Sequence, residues 1–211
     1  MKTDELIRLL SQDAPVRMRL GRMLALALAA GIAVSATVLL STVGLRDNLA
    51  SAIETVRVAF KIGMTLVLAI AAFGLVSRIG RPGVPLKPWG LALLLPLALM
   101  AVAVGAELMV LPADAWAAAL IGQNAAFCLF FIPLLSLAPL AGFLAALRHG
   151  APDNPGLAGA AAGLAAGAIG AALYAWHCPD DSPLFGATWY TLAIMLVIAA
   201  GHAAGRKWLR W

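Results

Sequence analysis

Residues 20–43 read LGRMLALALAAGIAVSATVLLSTV, a run whose one charged side chain, Arg22, lies near its start. A helix crossing the hydrocarbon of a bilayer needs about 20 mostly apolar residues, so this run alone is long enough to span. It is too long for the apolar core of a cleaved signal, and a polar and amphipathic stretch precedes it. Similar runs follow at 58–76, 89–111, 123–147, 156–176 and 187–204. The expected fold is an all-α integral membrane protein: a six-transmembrane-helix bundle over 20–211, preceded by a short cytoplasmic N-terminal amphipathic helix in a leader over 1–19. Little chain is left for a soluble domain, since 63% of the 211 residues are hydrophobic and 12% charged.

The net charge of +5 is explained by where the cations sit, not by a polyanionic partner. With the N-terminus in the cytoplasm, that side receives Lys2, Arg8, Arg17, Arg19, Arg22, Arg78, Arg81, Lys87, Arg148, Arg206, Lys207 and Arg210, and the other side only Arg46, Arg57 and Lys61. Twelve against three in short loops is the positive-inside asymmetry. Both termini are therefore expected in the cytoplasm, with the lipid bilayer around the bundle and no direct contact with nucleic acid. Trp89 and Trp208 fall at the inner interface, and Trp116, Trp176, Trp189 and Tyr190 at the outer one, as aromatic belts require. Lys61 and Glu107 lie near the outer ends of their spans and are expected to snorkel outward.

Catalytic patterns are thin. The three histidines, His149, His177 and His202, form no metalloprotease motif, and no P-loop, nucleophile elbow or C-x-x-C occurs, so no enzyme and no resident cofactor are expected. A small-solute transporter or channel stays as the competing class, although buried acid–base pairs, paired broken helices and inverted repeats are missing. Gly159, Gly163 and Gly167 recur every fourth residue, a spacing that lets another helix approach closely. It serves internal packing or a homodimer face. Pro133 and Pro139 flank Ser136 and are expected to bend the fourth span, a candidate transmitter between the two faces.

Two segments remain with chemistry to offer. The chain has two cysteines, Cys128 just inside the fourth span and Cys178 in the run His177-Cys178-Pro179-Asp180-Asp181-Ser182-Pro183. One helical residue rises about 1.5 Å, which puts Cys128 close to the same outer face. Singly, Cys128 reads as a small packing residue and Asp180 and Asp181 as a helix-start feature. Together the thiols offer a disulfide in an oxidising compartment, or a transient metal site of Cys128, Cys178 and His177, with Asp180 as a further ligand. On the opposite face Thr3 can cap a helix with Asp4 and Glu5 in its first turn. Leu6, Leu9, Leu10 and Asp13 follow helical spacing, Ile7 flanks that stripe, and Pro15 with Val16 ends it. So short a helix needs a surface to bury its leucines: the membrane interface, the bundle's inner loops or a partner's groove.

The leader from Thr3 to Leu10 with Asp13-Ala14-Pro15-Val16, the stretch from Cys128 through Ser136-Leu137-Ala138-Pro139-Leu140, and the H-C-P-x-D-S-P run continuing to Trp189-Tyr190 resemble the NrsF-like family. These are six-span anti-sigma factors of the bacterial inner membrane that partner extracytoplasmic-function sigma factors. The resemblance covers nearly the whole chain and departs from the pattern at no motif position. It implies that the leader, with Asp4, Leu6, Ile7, Leu9, Leu10, Asp13, Pro15 and Val16, holds a sigma factor. It also implies that Cys128 and Cys178, with His177, Asp180 and Asp181 beside them, sense oxidative or metal stress outside.

Overall fold

The computed structural model describes Glu5 and residues 19–210. The partner-binding residues expected in the leader, Asp4, Leu6, Ile7, Leu9, Leu10, Asp13, Pro15 and Val16, lie outside the described residues. The chain runs through α1 (Leu20–Thr42), α2 (Leu49–Ala52), α3 (Val56–Ile79), α4 (Lys87–Ala92), α5 (Leu94–Val110), a 3-10 turn (Ala113–Ala115), α6 (Trp116–Ile121), α7 (Ala125–Leu147), α8 (Pro155–Tyr174), α9 (Pro183–Phe185), a π turn (Gly186–Tyr190) and α10 (Thr191–Trp208). No strand occurs among the described residues. Six helical stretches are long and apolar enough to cross a membrane. They are α1, α3, α4 with α5, α7 with the segment before it, α8, and α9 through α10.

α8 is the axle of the bundle and packs on α3, α7 and α10. Its alanines and glycines leave no bulk between backbones, and in lipid such close van der Waals packing is what holds helices together. A Cβ added to Gly163 would lie 2.5 Å from the Val197 carbonyl oxygen of α10, and one on Gly170 would lie 2.5 Å from Ser136 Oγ of α7. The glycine face is thus filled from within the chain, by α10 and α7, and is not left free for a second copy.

α7 carries Pro133 and Pro139 within its length. Pro139 has no N–H to give the Leu135 carbonyl one turn earlier. Ser35 of α1 donates to that carbonyl instead, at 2.5 Å. Beside it Gly31 meets the proline so closely that a Cβ there would stand 2.7 Å from Pro139 Cα. The kink expected from the prolines is therefore pinned by α1 at one level.

The third span is loosely held. The helix breaks at Leu93 between α4 and α5, next to Ala92, whose carbonyl Pro96 has no N–H to satisfy. Leu94, Leu97, Val102 and Met109 of α5 are all more than half exposed, as lipid-facing residues are. At one end Trp89 lies against Gly74, with the Arg78 guanidinium 4.7 Å from the ring centre. At the other end the tie is Glu107.

Candidate functional site

Residues 175–182 cross the end of the bundle as a polar strap between α8 and α9. The backbone N–H groups of His177 and Cys178 both donate to the Tyr174 carbonyl at 3.0 Å, so the last turn of α8 folds Cys178 inward. Cys128 sits one turn into α7, its N–H bonded to the Asn124 carbonyl at 2.9 Å. Both cysteines are free thiols with no exposed surface, and they share one apolar cluster with Leu39, Ile132, Leu135, Tyr174, Phe185 and Tyr190.

The fold thus brings both thiols into one buried cluster. The neighbouring Cys128 holds the Cys178 thiol below its ordinary value; burial opposes the shift, and the Lys61 charge adds to it. The hydroxyls of Tyr174 and Tyr190 are buried with no hydrogen-bonding nitrogen or oxygen among the described residues. Both tyrosines belong to the cluster that holds the sulfurs, so the surroundings of the thiols are buried and rich in aromatic rings.

The strap is fastened to four other spans. The Asp180 carboxylate accepts from the backbone N–H of Gln123 at 3.2 Å and from the N–H and side-chain amide of Asn124 at 2.9 Å. It ties down the two residues that lead into α7 from a distant part of the chain and sets a negative charge just ahead of that helix, where a helix start favours one. Asp181 pairs with Lys61 Nζ of α3 at 2.5 Å and with Arg46 Nη1, just after α1, at 3.0 Å. Lys61 also donates to the carbonyls of Cys178, at 2.7 Å, and Asp180, at 3.3 Å. Ser182 Oγ and the Leu184 N–H both donate to Glu107 Oε2, at 2.8 and 2.9 Å, while Arg57 stands 3.5 Å from the other oxygen. His177 Nδ1 lies 3.1 Å from the Gly44 carbonyl.

Two expectations are corrected here. Lys61 and Glu107 do not snorkel: they are 8% and 6% exposed and turn inward, because the strap supplies partners at lower cost than reaching past it to water. A lysine and a glutamate inside apolar runs, with Asp180-Asp181 and Ser182 elsewhere to receive them, were the available signal. The metal set of Cys128, Cys178 and His177 is not assembled either. Among the described residues no group of three or more His, Cys, Asp or Glu side chains is arranged to hold an ion; His177 is directed to Gly44, and Asp180 is committed to α7.

The amino-acid sequence is similar to known proteins over its full length. The curated relatives include a probable anti-sigma-F factor NrsF of Azospira oryzae, 32% identical, and an anti-sigma-F factor NrsF of Caulobacter vibrioides, 36% identical, each covered completely by this chain and covering it completely. No solved structure matches. The profile of the family described as negative regulator of sigma F matches residues 10–211, which takes in α1 through α10, both thiols and the strap: the chain belongs to the NrsF family.

Proposed function

We propose that this chain is an anti-sigma factor of the bacterial inner membrane, with both termini cytoplasmic, which holds an extracytoplasmic-function sigma factor on its leader and releases it when Cys128 and Cys178 are oxidised on the periplasmic side. The observation that carries the reading is that relatives named anti-sigma-F factors align along the entire chain, leader included. Twelve of fifteen basic residues on the leader's side support the orientation. The leucine stripe of the leader supplies an apolar face for a partner's groove.

The chemistry at the thiols is a two-electron oxidation. A hydroperoxide takes both electrons as its O–O bond breaks; the sulfurs form an S–S bond, and their two protons leave with the alcohol and water produced. Since Asp180 holds the residues leading into α7 and the strap grips α3 and α5, closing that bond pulls on several spans at once. Turning a holding state at 99:1 into a releasing state at 1:99 takes about 5.5 kcal/mol of preference. That preference has to come from the packing around the strap. The partner contact itself lies on the opposite face and involves no nucleic acid.

The test is affinity purification of the full-length chain, and of a version lacking residues 2–16, from native membranes, followed by mass spectrometry. A sigma factor recovered only with the leader is expected. No sigma factor in either sample refutes the reading and moves it toward transport. In cells, Leu6→Asp with Leu10→Asp is expected to free the sigma factor constitutively, and Cys128→Ser or Cys178→Ser to block induction by peroxide while insertion is unchanged.

A further inference from the structure

Among the described residues Lys61 is the side chain that donates to the Cys178 carbonyl itself. It is buried in α3, among Val58, Met64 and Thr65, and its ammonium has three protons to give. The structure gives it three acceptors: the Cys178 carbonyl at 2.7 Å, the Asp180 carbonyl at 3.3 Å and Asp181 Oδ1 at 2.5 Å. Two of those are backbone atoms, so the lysine fixes the main chain around Cys178 and not merely a flexible carboxylate. The other charged anchors act farther out. Arg46 reaches only the Asp181 side chain among the acidic groups, and Glu107 holds Ser182 and Leu184 beyond it. Cys128, by contrast, is set by the helix it belongs to.

From this convergence, and resting on the reading of the thiol pair as an oxidation sensor, we infer that Lys61 is the positioning residue of the pair: it holds the Cys178 backbone so that the oxidised sulfur of Cys178 meets Cys128 and nothing else. The sequence of bonds is definite. The Cys178 sulfur attacks a hydroperoxide, an S–O bond forms, the O–O bond breaks and an alcohol leaves with a proton. Cys128 sulfur then attacks the Cys178 sulfenic acid; the S–S bond forms and water leaves with the Cys128 proton. The Lys61 charge also favours the Cys178 thiolate of the first step, but only the second step, which decides what becomes of the sulfenic acid, depends on where Lys61 holds the backbone. Once Cys178 is a sulfenic acid, a wandering strap exposes it to a second peroxide and to sulfinic acid, a dead end. A misplacement of about 1 Å is enough to slow a proximity-driven step by up to about 100-fold.

The experiment uses the purified full-length protein in lipid nanodiscs, treated with hydrogen peroxide and quenched with a thiol-blocking reagent. Peptide mass spectrometry counts the Cys128–Cys178 disulfide against Cys178 sulfinic acid. Wild type is expected to give mainly disulfide. Lys61→Met is expected to lower the ratio of disulfide to sulfinic acid by about tenfold or more, with helix content unchanged by circular dichroism. Lys61→Arg, which keeps a cation and several donors, should recover part of the ratio, and Arg46→Met should stay close to wild type. Should Lys61→Met fail to fold, Lys61→Gln is read in its place. A wild-type ratio in the Lys61 variant overturns the inference, as does an equal loss in Arg46→Met, which would make any anchor of the strap equivalent. If wild type itself yields no Cys128–Cys178 disulfide, the sensor reading falls and this inference with it; no sigma factor is present, so partner release does not enter.

Discussion

Removing the Asp181 carboxylate tests the strap most directly. Asp181→Ala leaves Lys61 and Arg46, whose side chains are 8% and 9% exposed, without their carboxylate. Breaking a fully buried pair by deleting one partner costs about 3–5 kcal/mol, because a charge is left uncompensated; an exposed pair is worth about 0–1 kcal/mol. Asp181 itself is 18% exposed, and Lys61 keeps two carbonyl acceptors. Arg46 keeps Asn48 Oδ1 at 2.8 Å. The expected cost is therefore about 2–3 kcal/mol, below the fully buried limit. The assay is reversible unfolding in mixed micelles titrated with SDS, followed by tryptophan fluorescence, for which Trp176 and Trp189 flank the strap. Adding Lys61→Met removes the stranded cation, so the double variant should cost about 1 kcal/mol or more less than the sum of the two single costs. A single variant within about 0.5 kcal/mol of wild type, or strict additivity in the double, would refute the claim that a buried charge pair fastens the strap.

Ser35→Ala deprives the Leu135 carbonyl of the donor that replaces the missing proline N–H, and is expected to cost about 0.6–1.7 kcal/mol in the same titration, the range for hydrogen bonds between membrane helices. Gly163→Leu should prevent α8 and α10 from closing and abolish the folded state in thermal melts. Gly63→Leu, where nothing stands within 4 Å of the added carbon, should leave it intact. The Cys178 thiol is lowered from 9.0 chiefly by the neighbouring Cys128. Its thiolate therefore persists to lower pH, and a plot of Cys178 oxidation rate against pH should level off below 9.0; a midpoint at or above that value contradicts the geometry.

The spans were legible because hydropathy over some twenty residues is a local property. The run read at 20–43 is α1 at Leu20–Thr42, and that at 156–176 is α8 at Pro155–Tyr174. The glycine spacing in α8 was readable for the same reason, but it did not say which helix fills the face. Helix α10 does, through Val197 and Gly201. The thiol pair was legible only as coincidence on one face. Lys61 and Glu107 were read wrongly because position within a span says how far a side chain is from water and nothing of what the chain brings over it. Their partners are 120 and 75 residues away. Asp180, expected as a local helix-start residue, instead binds Gln123 and Asn124 ahead of α7, the latter across 56 residues.

The strap has a consequence for the order in which the molecule is made. It emerges between the last two spans, whereas the residues it satisfies, Arg46, Lys61, Glu107 and the backbone amides of Gln123 and Asn124, belong to everything synthesised earlier. Until residue 182 has been added, a lysine and a glutamate sit in half-finished spans without their acceptors and donors. A chain stopped at α8 would leave them unpaired, and with them an unshielded Cys128. The completed loop thus serves as the closing stitch of biogenesis, and a protein whose thiols are both hidden is one whose synthesis has reached its end.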